Sequence, residues 1–252
     1  AIHGVMLQHA PDSGAHLIVS NFEHPAVSAP VEYLQRMGYQ ITEVPCDENG
    51  VVTAQRVAEA IRDTTVLVSI MHSNNEIGTL QPISKISEVC REQNVLLHTD
   101  AAQSVGKVST QVDEIGVDLM TIAGHKVYAP KGVGALYVRT GVSLDPVLYG
   151  AGHERGLRPG TENVPSIVGL GKAMKLAYRS LEESSERLGN LRDRLSDRLL
   201  AGLGTQARIH GEQAPRLPGT LSLVFPGVRA TDLLARVPEI CASTGSACHE
   251  TG

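Results

Sequence analysis

Between Met71 and Lys131 the chain gathers the residue types used in acid–base and carbonyl chemistry, each group at the end of an apolar run. Thr65 to Met71 runs into His72-Ser73-Asn74-Asn75-Glu76. Val95 to Thr99 carries His98 and gives way to Asp100-Ala101-Ala102-Gln103. Val117 to Ile122 ends in Ala123-Gly124-His125-Lys126. Open α/β sheets bind ligands beyond the carboxyl ends of their strands. Three successive runs ending this way predict one mouth lined by a lysine, a carboxylate, imidazoles and amides.

That set suits pyridoxal phosphate. A lysine amine forms a Schiff base with the cofactor's aldehyde, and a carboxylate keeps the pyridine nitrogen protonated so that the ring accepts electrons. Lys126 supplies the amine and Asp100 the carboxylate, and the glycine two residues before Lys126 lets a ligand approach the backbone. Taken alone, Lys126 reads as a solvated surface lysine, the common fate of that residue.

The elements that must position these groups alternate. Leu17 to Ser20, Gln40 to Val44, Thr65 to Met71, Val95 to Thr99, Val117 to Ile122 and Gly134 to Val138 read as strands. Val51 to Ile61 and Ile83 to Gln93 read as helices between them. Near-continuous apolar strands alternating with helices predict an α/β fold, a mostly parallel sheet covered on both faces. From Pro165 to Leu203 leucines recur at helical spacing among many charges, predicting a long helix broken near Gly189-Asn190. A strand over Gly219 to Phe225 and a helix over Thr231 to Arg236 then predict part of a smaller α+β domain. The boundary is placed between residues 175 and 176, giving a large domain over 1–175 and a small, incomplete one over 176–252.

Composition excludes several classes. The 252 residues are 42% apolar and 19% charged, ordinary for a globular protein. A formal net charge of −5 gives no electrostatic reason to bind nucleic acid or an acidic membrane. No apolar run is long enough to span a bilayer and no signal peptide is visible, so a cytoplasmic protein is expected. The cysteines, Cys46, Cys90, Cys241 and Cys248, are too sparse for a disulfide framework and read as reduced thiols. Cys241 reads as an inert, buried one.

His72-Ser73-Asn74-Asn75-Glu76-Ile77-Gly78, His98-Thr99-Asp100-Ala101-Ala102-Gln103, Gly124-His125-Lys126 and Arg158-Pro159-Gly160-Thr161-Glu162-Asn163 resemble the signature stretches of the cysteine desulfurase and selenocysteine lyase family. That family belongs to the aminotransferase class V group of fold-type I pyridoxal-phosphate enzymes. The resemblance implies a fold-type I large domain with Lys126 as the Schiff-base lysine and Asp100 as partner of the pyridine nitrogen. It implies that Gln103 bonds the phenolic oxygen, that Asn75 sits beside the ring, and that His24 stacks on the ring and moves protons. His125 would approach the phosphate, and Thr161 would reach the phosphate of a neighbouring subunit in a homodimer.

Cys248, in Ser243-Thr244-Gly245-Ser246-Ala247-Cys248-His249, resembles the family's catalytic-cysteine loop. A thiolate there attacks the substrate's sulfur, leaving alanine and a persulfide for an acceptor protein; with L-selenocysteine, selenium is released instead. His249 and Arg216 to Pro218 lean toward selenocysteine lyases, and Pro25 after His24 toward desulfurases. L-Cysteine is the preferred reading. Ala123 replaces a serine common in the family, removing one phosphate contact. The family pattern also extends to a phosphate loop before Ala1 and a substrate-carboxylate arginine after Gly252.

Other classes account for less. His98 and Asp100, two apart on a strand, could start a metal site with His72 or His125, but Lys126, Gln103 and Cys248 would then have no role. Gly150-Ala151-Gly152 has the wrong spacing for a dinucleotide fingerprint. An inactive fragment that scaffolds or pairs with another subunit is the remaining alternative.

Overall fold

The strands of the main sheet read as apolar runs because most of them have helices on both faces. In a computed structural model, which describes residues 1–245, the chain runs α1 (Ile2–Met6), β1 (His16–Ser20), α2 (Pro25–Arg36), β2 (Gln40–Val44), α3 (Ala54–Ala60), β3 (Thr65–Ser69), α4 (Ile83–Glu92), β4 (Leu96–Asp100), α5 (Val112–Ile115), β5 (Leu119–Ala123) and β6 (Gly134–Val138). The six strands lie in the order β2-β1-β3-β4-β5-β6. All neighbours pair in parallel except β5 and β6, which are antiparallel.

Period-two alternation splits the core into two layers. Ile18, Val68, Leu97 and Met120 pack with Val57, Ile86 and Cys90 of α3 and α4. Leu17, Val19, Leu67 and Leu119 pack on the opposite face with Val5 of α1 and Val27, Val31 and Leu34 of α2. The expected α/β sheet with two covered faces is therefore present. The helix expected from Val51 begins instead at Ala54, where the Thr53 side chain accepts the Arg56 amide and sets the start.

The later elements are α6 (Val164–Arg179), α7 (Leu181–Leu203), β7 (Arg208–Ile209), β8 (Leu223–Val224) and α8 (Ala230–Arg236). The break expected near Gly189-Asn190 lies at Ser180, whose φ of −100° and ψ of 6° leave helical geometry. Its hydroxyl bonds back to the Leu176 carbonyl. Gly189 and Asn190 stay helical because a mid-helix glycine costs only about 1 kcal/mol, which a 23-residue helix carries. The strand expected over Gly219 to Phe225 shrinks to two residues, paired with the equally short β7.

Gly124 shows how tightly the turn carrying Lys126 is built. A Cβ on it would lie 2.5 Å from the Val133 carbonyl oxygen and 3.3 Å from Ala129 Cβ. The Gly124 amide also donates to that carbonyl at 3.0 Å, so the backbone has no direction in which to retreat. Gly124→Ala should lower stability by about 1–3 kcal/mol, read as a lower urea midpoint at unchanged m-value.

Candidate active site

The carboxyl ends of β3, β4 and β5 are stitched together beyond their ladders. The Thr99 hydroxyl donates to the Ile70 carbonyl at 2.7 Å, and the His72 amide donates to the Asp100 carbonyl at 2.8 Å. The Ala101 amide donates to the Thr121 carbonyl at 3.0 Å, and the Ser73 and Ser104 hydroxyls bond at 2.6 Å. Asn74 folds the loop after β3, its Oδ1 accepting the amides of Glu76 and Ile77. Its amide nitrogen donates to the Phe22 carbonyl, bringing the loop of Asn75 against the segment that leads to His24.

Asp100 lies almost buried at the end of β4 and accepts the Ala102 amide at 2.9 Å. Burial raises its carboxyl above the usual range, while that amide and the charges of His24 and Lys126 pull it down. These interactions place three of the expected residues in one electrostatic neighbourhood. His24 caps α2: its Nδ1 accepts the Ala26 amide at 3.1 Å, which sets the tautomer of the uncharged ring with its proton on Nε2. Lys126 is exposed in the 3-10 turn Gly124–Val127 that follows β5, with His125 exposed beside it.

Gln103 is oriented by a residue the sequence did not single out. Lys107 donates to its Oε1 at 2.7 Å, which leaves the Gln103 amide nitrogen to donate elsewhere. Burial, and then repulsion from Lys126, lowers the proton affinity of Lys107. Thr161 is exposed in the loop before α6, and no hydrogen bond or charge interaction joins it to the cluster among the described residues. Cys248 lies outside the described residues. Cys241 is exposed, not buried as expected.

A cavity of about 210 Å³ opens beside Asp100 on the α1 and α2 face, walled by Ala1, Ala26, Val27, His98 and Thr121. His98 spends both ring nitrogens on hydroxyls, Nδ1 with Ser69 and Nε2 with Thr121, each at 2.8 Å. Burial pushes its pKa down to about 3, so it is a neutral staple across β3, β4 and β5. That answers the metal reading, because the ring has no free lone pair to offer beside Asp100. His72, also buried, is pushed down to about 4.

Glu23 is the larger omission. Its Oε1 accepts the Ser20 hydroxyl and, at 2.9 Å, the Met71 amide, while Oε2 is buried without a partner among the described residues. Burial, with a further push from Asp100, raises it to about 8 against the pull of its hydrogen bonds. The only signal in the sequence was a carboxylate three residues after a strand and directly before the helix cap His24.

A mostly parallel α/β sheet ending in an exposed lysine, a buried carboxylate and an oriented glutamine has the architecture of a fold-type I pyridoxal-phosphate protein. The chain belongs to the aminotransferase class-V family, whose model matches residues 1–251. It is 44% identical over 253 residues to the cysteine desulfurase IscS of Methanosarcina thermophila, covering 100% of this chain and 62% of that protein. It is 42% identical over 239 residues to the cysteine desulfurase IscS of Clostridium botulinum, covering 93% and 60%. Among solved structures, a NifS-like protein superposes with a TM-score of 0.84 at 36% identity, over 94% of this chain and 66% of that one. SspA in complex with cysteine superposes with a TM-score of 0.82 at 35% identity, over 98% and 68%. The chain thus spans about three fifths of the length of these curated relatives.

Class-V aminotransferases and the IscS and NifS desulfurases are pyridoxal-phosphate enzymes. The side chains present fit that group. Asp100 is a buried carboxylate suited to a cationic partner, Gln103 has its oxygen engaged by Lys107 and its amide nitrogen left to donate, and Lys126 is an exposed amine whose charge reaches Asp100.

Proposed function

We propose that the protein is a pyridoxal-phosphate-dependent cysteine desulfurase, converting L-cysteine to L-alanine with the sulfur retained as a persulfide on Cys248. The observation that carries this reading is Lys126 in electrostatic reach of a buried Asp100 at the ends of adjacent parallel strands, with the Gln103 oxygen held by Lys107. The similarity to cysteine desulfurases over nearly the whole chain supports the substrate, as does the likeness to SspA, a protein solved with cysteine.

When bound, pyridoxal phosphate supplies an electron sink for the substrate's bonds. The protein's residues do the rest. Lys126 would hold the cofactor aldehyde and supply the amine that acts as base. Asp100 presents negative charge to the ring nitrogen. Gln103 would donate to the phenolic oxygen, His24 would donate from Nε2, and Asn75 and His125 would line the ring and phosphate. The Cys248 thiolate attacks the substrate sulfur, forming the S–S bond as the sulfur–carbon bond breaks. The substrate carbon takes up a proton, so cysteine plus thiol becomes alanine plus persulfide.

A homodimer completes this reading, with Thr161 contributing to the partner's phosphate site. Exposed Tyr128, Leu148, Tyr149 and Val168 support an apolar contact surface around these loops. We divide the chain into a cofactor-binding domain over 1–175 and part of a smaller domain over 176–252. Cys46, Cys90 and Cys241 are free thiols, which supports a reducing, cytoplasmic setting. Among the described residues no helix is long and apolar enough to cross a membrane. An acceptor protein receives the sulfur.

Cys248→Ala separates cofactor chemistry from sulfur transfer. The variant should turn yellow with pyridoxal phosphate like the wild type, yet form alanine from L-cysteine at least about a thousandfold more slowly. Unchanged alanine formation would remove Cys248 from the reaction. Faster turnover of L-selenocysteine than of L-cysteine would move the assignment to a selenocysteine lyase.

A further inference from the structure

We propose that Glu23 is a positioning residue of this site, a carboxyl held as the neutral acid that clamps the His24 segment to the chain just beyond β3 and leaves Asp100 as the ionised member of the pair. The inference rests on the functional reading above and deepens it.

The geometry carries the argument. Glu23 lies between β1 and α2, three residues beyond Ser20 and directly before the cap His24. One oxygen collects the Ser20 hydroxyl at the end of β1 and the Met71 amide two residues beyond the adjacent strand β3. A single atom therefore fixes where the chain leaves β1 and where His24 begins α2. The other oxygen is buried with no partner among the described residues. A buried, half-satisfied carboxylate beside a second carboxylate is electrostatically costly, and the usual resolution is that one of the two keeps its proton.

The two acids differ in surroundings. Asp100 faces His24 at the start of α2 and Lys126 after β5, both of which favour its ionised form. Glu23 has Asp100 as its charged neighbour, while the end of β1 and the segment just after β3 present the Ser20 hydroxyl and the Met71 amide. The proton therefore belongs on Glu23. Its value of about 8 agrees, placing its ionisation above neutral pH. Sharing a proton in this way lets Asp100 meet a cationic ring nitrogen at full charge.

The test compares wild type with Glu23→Gln, which imitates the neutral acid, and Glu23→Ala, which removes the clamp. Infrared difference spectra of cofactor-free wild type against Glu23→Gln should show a protonated-carboxyl band at pH 7 that converts to carboxylate as pH rises through about 8. With pyridoxal phosphate added, an ionised Glu23 adds negative charge beside Asp100 and favours the protonated, yellow form of the cofactor. Wild type should therefore keep its yellow absorption to higher pH than Glu23→Gln, by about half a pH unit or more. Glu23→Ala should bind the cofactor about tenfold more weakly, because the Met71 amide loses its acceptor. An ionised Glu23 at pH 7, or identical alkaline profiles for wild type and Glu23→Gln, would overturn the proposal. If wild type never turns yellow, the functional reading fails, and the infrared titration still decides the state of Glu23.

Discussion

Asp100→Asn should fold normally, bind pyridoxal phosphate through Lys126 and turn over L-cysteine on the order of 10²–10³-fold more slowly than wild type. Asparagine keeps an oxygen to accept the Ala102 amide, so the turn after β4 is preserved. What it loses is the charge that keeps a ring nitrogen protonated. The stability sign runs the other way. Burial raises the Asp100 carboxyl above its unfolded value, so the ionised form costs the fold stability once pH exceeds that value. Asparagine drops this cost, and the variant should unfold at the same or higher urea concentration at pH 7. Slow turnover in a protein no less stable identifies an electronic role. A proportionate loss of both would mean that Asp100 is only structural.

Lys126→Ala should have the largest effect on chemistry and one of the smallest on folding. Its side chain is exposed and makes no hydrogen bond among the described residues, so truncation should change stability by less than about 0.5 kcal/mol. Turnover should fall by about 10⁴-fold or more, because the covalent anchor and the base are lost together. A second consequence follows from its neighbours. Lys126 lowers the proton affinity of Lys107 and stabilises the Asp100 carboxylate. Removing it should raise both groups, and a carbon-13 NMR titration of the Asp100 carboxyl would show the change.

The sheet was legible because burial on both faces writes itself as unbroken apolar runs. Gln40 to Val44 and Gly134 to Val138 appear with the bounds expected, and the other strands of the sheet shift by one or two residues at one or both ends. Lys126 and Asp100 were legible for the same reason, as polar groups at strand ends. The α6–α7 break was misplaced because glycine is a weak helix breaker, whereas Ser180 ends a helix through a side-chain bond to Leu176 that composition does not reveal. Lys107 and Glu23 were missed because their roles exist only after folding. Glu23 meets Met71 across 48 residues of sequence, and the Lys107 bond to Gln103 depends on a turn conformation. Cys241 was misjudged as buried because a cysteine among apolar neighbours reads as core.

The most direct test is to incubate the protein with pyridoxal phosphate, reduce with borohydride, digest, and locate the pyridoxyl mass by peptide sequencing. A single label on Lys126, absent from Lys126→Ala, is the result expected. A label that falls on Lys107 or Lys131, or that persists undiminished in Lys126→Ala, would contradict the assignment of this site.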